Sequence, residues 1–483
     1  MPLLKYNFSV IHLLLLSGFH FLTTILLSEY FPVIWPDEVL FYNPAQELAT
    51  TGQMKTSVLS GLIPGMESYT FWMPPVFIVS LASILKLFGD SIIIARFFSS
   101  SIAFASALLL YRLAVVIGIN KNRPLLLFLV FSDFLFIIVS HSSRMESMTM
   151  FWGVLALLAV YDIKTRARAV LPGIFSAMSF LSHPFGAVYG LLVFMALLGK
   201  KTNRVQNLLV YISGGLIPLI FWFLYIYPEF DLFLLQFGAQ LSRKRDLLKT
   251  FGFMDRVQII ISGYRFNYLK LAQLAIAGIM IALNYSLIKT SKTFQMILIW
   301  LLAMTSAVFL STESWYVIHT VPPLVFAMVY LYSAGRKYSS AGVYATLLLN
   351  VFTTIWLFYA NWYMMNTKNL TEQYYAEIAA QIGNRNKIYL QAIPDPYFYL
   401  KKHYPQKELR EFIPGELSIP EKYFMPEIER QEAFIFYNSA HGNRHVMEYL
   451  EKNKSLFIRK TVEVPTGHAR DLRLKAELFL KKP

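Results

Sequence analysis

Long apolar stretches recur along this chain, and nothing constrains its fold more. A bilayer core of ~30 Å takes roughly 17 to 25 helical residues to cross, and lipid offers the backbone no hydrogen-bond partner, so each such stretch has to satisfy its own amides as a helix. Spans are expected near 8 to 28, 92 to 117, 124 to 140, 147 to 162, 169 to 183, 184 to 199, 206 to 227, 269 to 288, 294 to 312, 317 to 334 and 341 to 362. Composition agrees: 56% of the residues are hydrophobic and 15% charged, against ~25% charged in an ordinary soluble domain. A single soluble globule is excluded. With no cysteine among 483 residues, so are disulfides, thiolate zinc sites and Cys nucleophiles.

The net charge of +15 would suggest a nucleic-acid partner in a soluble protein. Residues 1–362 carry 25 Lys/Arg against 14 Asp/Glu, and 363–483 carry 19 against 15, so most of the excess lies in the apolar part. Basic loops beside membrane spans account for it without any nucleic acid. These loops are Lys121/Arg123, Lys164/Arg166/Arg168, Lys200/Lys201/Arg204, Lys289/Lys292 and Arg336/Lys337. They fall on alternate turns, which puts them and the N-terminus in the cytoplasm and residues 29–91, 228–268 and everything after 362 outside, with a prokaryotic plasma membrane as the expected host. Residues 74–88 would reverse that pattern if they crossed, so an interfacial helix is expected there. The first apolar stretch has no small-residue cleavage pattern before Glu29 and Tyr30, which favours an uncleaved span over a signal peptide.

The tail changes character. Interspersed charges, the runs NKIYLQAI and EAFIFYNS and the turn cluster IPDP indicate a small α/β domain. The expected fold is thus an α-helical polytopic membrane protein of about 11 transmembrane helices, in two units: residues 1–362, with outer loops 29–91 and 228–268, and an extracytoplasmic α/β domain over 363–483.

Just after the first span, Asp37-Glu38 stands in the aromatic setting Trp35-Pro36-Asp37-Glu38-Val39-Leu40-Phe41-Tyr42. A carboxylate held beside an acceptor hydroxyl is a general base, worth ~10² to 10⁴ in rate; the plainer alternative is Asp37 as the N-cap of a helix starting at Glu38. Arg243-Lys244-Arg245, with Lys249, Arg256 and Arg265 nearby, runs against the positive-inside trend. It suits a lipid phosphate, or a nonspecific anionic headgroup surface. Arg144 and Glu146 are either a pair at a membrane boundary or a second acidic group that orients the acceptor or a divalent metal. Arg96 faces outward beside either the acids or the phosphate. His141, His183 and His319 show no zinc spacing and are read as hydrogen-bonded or substrate-contacting. Tyr42, Trp315 and Tyr316 are groove candidates or members of an aromatic belt. Asp133, inside the third span, is expected to be structural. No cofactor is called for, and whether a metal binds stays open.

Asp37-Glu38-Val39-Leu40-Phe41, then Ala45, Leu48, Ala49 and Gly52, resembles the first outer loop of C-type glycosyltransferases, in the protein O-mannosyltransferase and lipid A aminoarabinose transferase branch. Pro74-Pro75, Gly89, Ala95-Arg96, Arg144 with Glu146 before Phe151-Trp152-Gly153, His183-Pro184, and Trp315-Tyr316 before Pro322-Pro323 follow in the same order. The resemblance covers residues 1 to about 335. It implies an inverting transferase whose donor is a sugar on a polyprenyl phosphate, with Asp37 at the catalytic centre and Glu38 as an adjacent acid. Leu40 stands where mannosyltransferases carry His, and Trp72-Met73-Pro74 lacks the Lys that the aminoarabinose branch places before its first proline. The implied partners are the lipid-linked donor, a lipid, glycan or protein acceptor, and the bilayer. Neither GxxxxGK[ST] nor GxGxxG occurs to hold nucleotide phosphates, which also favours a lipid-borne donor. The alternatives are a membrane transferase or ligase of another lipid-linked group, and a transporter or flippase with broken helices and charges near the midplane.

Overall fold

The computed structural model describes residues 10–27, 32–119, 122–161, 166–200, 203–262, 267–311, 313–336, 338–366, 369–412, 419–465 and 474–483. Arg265 and the loop lysines Lys121, Lys164, Lys201 and Lys337 lie outside them, as do Glu29 and Tyr30.

Each expected span carries helix. In chain order the helices are α1 (Val10–Leu27), α2 (Pro36–Thr51), α3 (Pro75–Phe88), α4 (Ile92–Val116), α5 (Arg123–Phe131), α6 (Phe134–Ser140), α7 (Glu146–Tyr161), α8 (Val170–Ser182), α9 (Gly186–Leu198), α10 (Arg204–Ile226), α11 (Phe230–Thr250), α12 (Phe253–Ser262), α13 (Asn267–Leu283), α14 (Ser286–Thr290), α15 (Lys292–Ser311), α16 (Val321–Ser333) and α17 (Ser339–Asn366). Among the described residues, four helical runs are long and apolar enough by themselves to cross a membrane: Ile92–Val116, Arg204–Thr250, Lys292–Ser311 and Trp315–Ser333. Counting the bent pair α5 and α6 as one adds a fifth. The other expected spans fall on shorter or partly described helices, so the count of about 11 is not reproduced at full spanning length.

Two elements differ from expectation for identifiable reasons. The span at 124–140 bends by 64° between α5 and α6, because Asp133 leaves the helical path to cap α6, accepting from the amides of Leu135 at 3.0 Å and Phe136 at 3.3 Å. Its other oxygen accepts from Lys270 on α13, both side chains being 2% exposed, so the charge is paired within the bundle. Residues 228–268 hold α11 and α12 rather than an open loop. Residues 74–88 do form a helix too short to span, α3, which buries Phe77, Ile78, Leu81 and Leu85 on one face.

Helices α8 and α10 approach closely at two glycines. A Cβ on Gly173 would sit 2.0 Å from the Tyr211 carbonyl oxygen, and one on Gly214 would sit 2.2 Å from that of Val170. Small residues at such crossings let backbones meet where lipid supplies no hydrophobic drive.

The tail holds α18 (Leu370–Ile382), β1 (Lys387–Gln391), α19 (Tyr397–His403), β2 (Glu408–Glu411), α20 (Glu421–Glu429), β3 (Ala433–Phe436), α21 (Arg444–Lys452), β4 (Phe457–Val464) and β5 (Leu474–Lys481). The strands form one sheet in the order β2-β1-β3-β5-β4. The first three run parallel, and β5 lies antiparallel to both β3 and β4. Its core is not private: Val39, Leu40, Val58, Leu59, Leu62, Ile63, Met66 and Trp72, from α2 and the stretch after it, pack into the same cluster as Ile388, Leu390, Phe434 and Leu478. Residues 39–72 and the tail therefore form one packed body, which fixes the start of α2.

Candidate active site

Helix α2 begins at Pro36, whose fixed φ and missing N–H suit the first helical position. Trp35 occupies the N-cap position, so Asp37 is an early helical residue and not the cap. Two consecutive acids then point in different directions. Glu38 is 1% exposed and fully engaged: its Oε2 accepts from Arg96 Nε at 2.9 Å and from the Ser143 amide at 2.8 Å, and its Oε1 from Arg96 Nη2 at 2.5 Å. Of the alternatives open for Arg96, acids or phosphate, the geometry is that of an ion pair with an acid. Glu38 has no oxygen left for chemistry, and Arg96, 0% exposed, is committed to Glu38 and not to a phosphate.

The Asp37 side chain is 37% exposed and borders a cavity of about 410 Å³. Arg144 orients it through Nη1 to Oδ2 at 2.7 Å. The same guanidinium grips Glu146, with Nη2 to Oε1 at 2.7 Å and Nε to the two oxygens at 3.2 and 3.3 Å. Its Cζ lies 4.3 Å above the Trp315 ring, a cation–π contact that holds the fork flat. Asp37, Arg144 and Glu146 form a line of alternating charge along one wall. Trp315 supports that wall from behind rather than lining the groove.

The opposite wall comes from α11 and the turn after α15. Phe237, Gln240, Leu241 and Lys244 recur at helical spacing on one face of α11 and line the cavity together with Arg243. Glu313 gathers the cations: Lys244 Nζ donates to its Oε1 at 2.5 Å and to the Ser311 carbonyl at 3.3 Å, and Arg243 Nη2 approaches the same carboxylate at 3.5 Å. Arg245 projects away from the cavity, its side chain 64% exposed and paired with Asp246. Arg256 turns back onto the carbonyls of Leu248 and Phe251.

His183 and Tyr316 close the inner end. The Phe185 amide donates to His183 Nδ1 at 3.1 Å, so in the neutral ring the proton sits on Nε2, which meets the Tyr316 hydroxyl at 2.9 Å. Tyr316 is then left with its own hydrogen to donate. His319, expected as hydrogen-bonded or substrate-contacting, is 0% exposed, lies with Nδ1 3.4 Å from the Tyr189 hydroxyl and stacks under Phe185 with ring centroids 4.5 Å apart. Tyr42 lies on the other face of α2, bonded to Asp90 and packed on Phe398 of the tail. His141 is buried among the helices beside His20, their centroids 5.7 Å apart.

Asp37, Arg144, Glu146, His183, Arg243, Lys244 and Tyr316 thus share one cavity, and Glu38, Arg96, Tyr42, Trp315, His319 and Arg245 do not line it. Glu313 and the tail residue Phe412 line it without having been singled out. Glu313 stands two residues before Trp315-Tyr316, but only its partners across the cavity show its use. Among the described residues, no group of three or more His, Asp or Glu side chains is placed to hold a metal ion. The position between Asp37 and Glu146, where a cation would bridge two acids, is filled by Arg144.

No family model matches the chain. An uncharacterized protein of Aquifex aeolicus (strain VF5) is 30% identical over 204 residues, a match spanning 40% of this chain and 40% of that protein's length. Among solved structures, ArnT from Cupriavidus metallidurans bound to undecaprenyl phosphate superposes with a TM-score of 0.57 at 12% identity over 98% of each chain. The same protein in the apo state gives 0.55 at 10% identity, over 97% of this chain and 98% of that one. ArnT is an aminoarabinose transferase, and the chain has the C-type glycosyltransferase fold that ArnT represents, along nearly its whole length.

Proposed function

We propose that this chain is an inverting glycosyltransferase that moves a sugar from a polyprenyl-phosphate donor to an acceptor at the extracytoplasmic face of a membrane. One observation carries the reading: a cavity at the head of the helices sets the partly exposed Asp37 carboxylate on one wall and the Arg243 and Lys244 cations on the other. The C-type fold and the undecaprenyl phosphate bound to ArnT supply the donor class.

In this mechanism the donor's anomeric carbon lies between the walls, with its phosphate toward Arg243 and Lys244. Asp37 takes the proton of the acceptor hydroxyl as that oxygen attacks the anomeric carbon. The carbon–oxygen bond to phosphate breaks, and the departing polyprenyl phosphate keeps the electron pair. The two cations neutralise its growing charge, an electrostatic contribution made in place before reaction begins. A single displacement inverts the anomeric centre. Arg144 holds Asp37 at one oxygen and leaves the other for the acceptor, while Tyr316 donates to a sugar or phosphate oxygen. The apolar lining of Leu40, Phe41, Trp72, Phe237 and Leu310 excludes water that would otherwise hydrolyse the donor.

A transporter reading draws on the broken pair α5 and α6, but its charge is paired and sealed away from the cavity, Asp133 and Lys270 each being 2% exposed. The test is turnover with the purified protein and polyprenyl-phosphate sugars, the sugar first named by mass spectrometry of co-purifying lipids. Asp37→Asn should lower turnover by ~10² to 10⁴ with donor binding kept. EDTA should leave wild-type turnover unchanged, since Arg144 occupies the bridging position. Near-normal turnover by Asp37→Asn removes Asp37 as base, and loss of turnover in EDTA restores a metal to the site.

A further inference from the structure

The tail buries two carboxyl groups where it meets the loop ahead of α2. Asp395 follows β1, and Glu411 ends β2 immediately before Phe412, which lines the catalytic cavity. Both are 0% exposed. The Asp395 amide donates to the Ile34 carbonyl at 2.8 Å, three residues ahead of Asp37, and Asp395 Oδ1 accepts from the Tyr397 amide at 2.8 Å. The remaining oxygens, Asp395 Oδ2 and both of Glu411, accept no hydrogen bond from any described donor. The Asp395 carboxyl and the Phe412 amide both act on Glu411 at hydrogen-bonding range, the first favouring its protonated form and the second opposing it.

Oxygens that meet only oxygens need a hydrogen between them. Two buried carboxylates side by side cannot both ionise, because each lacks water and repels the other. The charges that act on the pair from α2 do not compensate. From α2 the charges facing the pair are Asp37 and Glu38, both negative, and Arg96 behind them is already forked onto Glu38. From α18 come the hydroxyls of Tyr374 and Tyr375, buried and without a hydrogen-bond partner, and from α19 comes Tyr397. Burial accordingly pushes the Asp395 carboxyl up to about 7. Burial and the neighbouring Asp395 raise Glu411 well above the usual carboxylate range.

We infer that Asp395 and Glu411 share one proton and act as positioning residues for Asp37, clamping the Ile34–Asp37 turn and Phe412 to the cavity while that proton is held. The inference rests on the reading of Asp37 as the base. Loss of the proton leaves two adjacent buried anions, which repel and loosen both attachments. Because the folded carboxyls are raised above their ordinary value near ~4, the stability they contribute is complete below that value and is lost as pH rises through about 7.

The test compares full-length wild type with Glu411→Gln and Asp395→Asn in detergent between about pH 5 and about pH 9, reading the thermal unfolding midpoint and, separately, kcat and KM. An amide supplies a permanent hydrogen in place of the shared proton. The wild-type midpoint should therefore fall as pH rises through neutrality, while either variant stays flatter. The alkaline limb of kcat should move up by about one pH unit or more in the variants, with KM for the donor unchanged. Parallel midpoint profiles for wild type and variants overturn the inference, as does failure of both variants to fold. A wild type without transferase activity sinks the proposed function alone, since the unfolding profiles still decide whether the proton is shared.

Discussion

Asp37 and Glu38 are neighbours in one helical turn, yet only Asp37 meets the cavity. What separates them is partnership: Glu38 takes Arg96 and the Ser143 amide, whereas Asp37 shares Arg144 with Glu146 and keeps an oxygen free of it. Breaking a buried ion pair leaves a charge without water or counter-charge, so Arg96→Met should cost about 3–5 kcal/mol of stability. The combined Glu38→Leu and Arg96→Met should cost less than Arg96→Met alone, as thermal unfolding in detergent would show; an equal or greater loss for the pair contradicts this account. The acidic dipeptide was legible in the sequence as a site. Which acid meets the cavity and which is buried against its partners was not, because the deciding groups lie on α4 and just ahead of α7, far along the chain.

At the scale of single elements, α11 shows how helical geometry sorts a run of like charges. Arg243 and Lys244 reach the cavity and converge on Glu313, while Arg245, one residue on, turns outward to Asp246. Arg243→Gln with Lys244→Gln should weaken polyprenyl-phosphate binding roughly tenfold or more, as expected when charged hydrogen bonds are lost, and Arg245→Gln should leave it within about twofold, as surface pairs contribute little. Equal losses in a lipid-binding assay would mean the cluster acts as a diffuse basic surface. Sequence located the cations but read 228–268 as an outer loop, since the charges spread along α11 interrupt its apolar residues. The break between α5 and α6 escaped for the opposite reason: a hydropathy window averages over the Asp133 that redirects the chain.

In the whole molecule, the membrane character and the small C-terminal sheet were readable from composition and strand patterning. The way the outer body is assembled was not. Residues 1–362 and 363–483 read as separate units, but Val39 to Trp72 share a core with the tail sheet, an arrangement that only packing between distant segments reveals. The orientation we propose is directly testable because the natural chain has no cysteine. In right-side-out vesicles, Lys454→Cys on the exposed tail should react with a membrane-impermeant thiol reagent, and Lys289→Cys should react only after permeabilisation; the reverse pattern would turn the topology over.

Strand β5 lies between β3 and β4, and the sheet it joins anchors the Ile34 carbonyl through Asp395. Assembly of the helices alone therefore does not seat the turn that leads into Asp37. A variant stripped of that sheet keeps Asp37 on α2 but loses the hydrogen bond that ties down the residues just ahead of it.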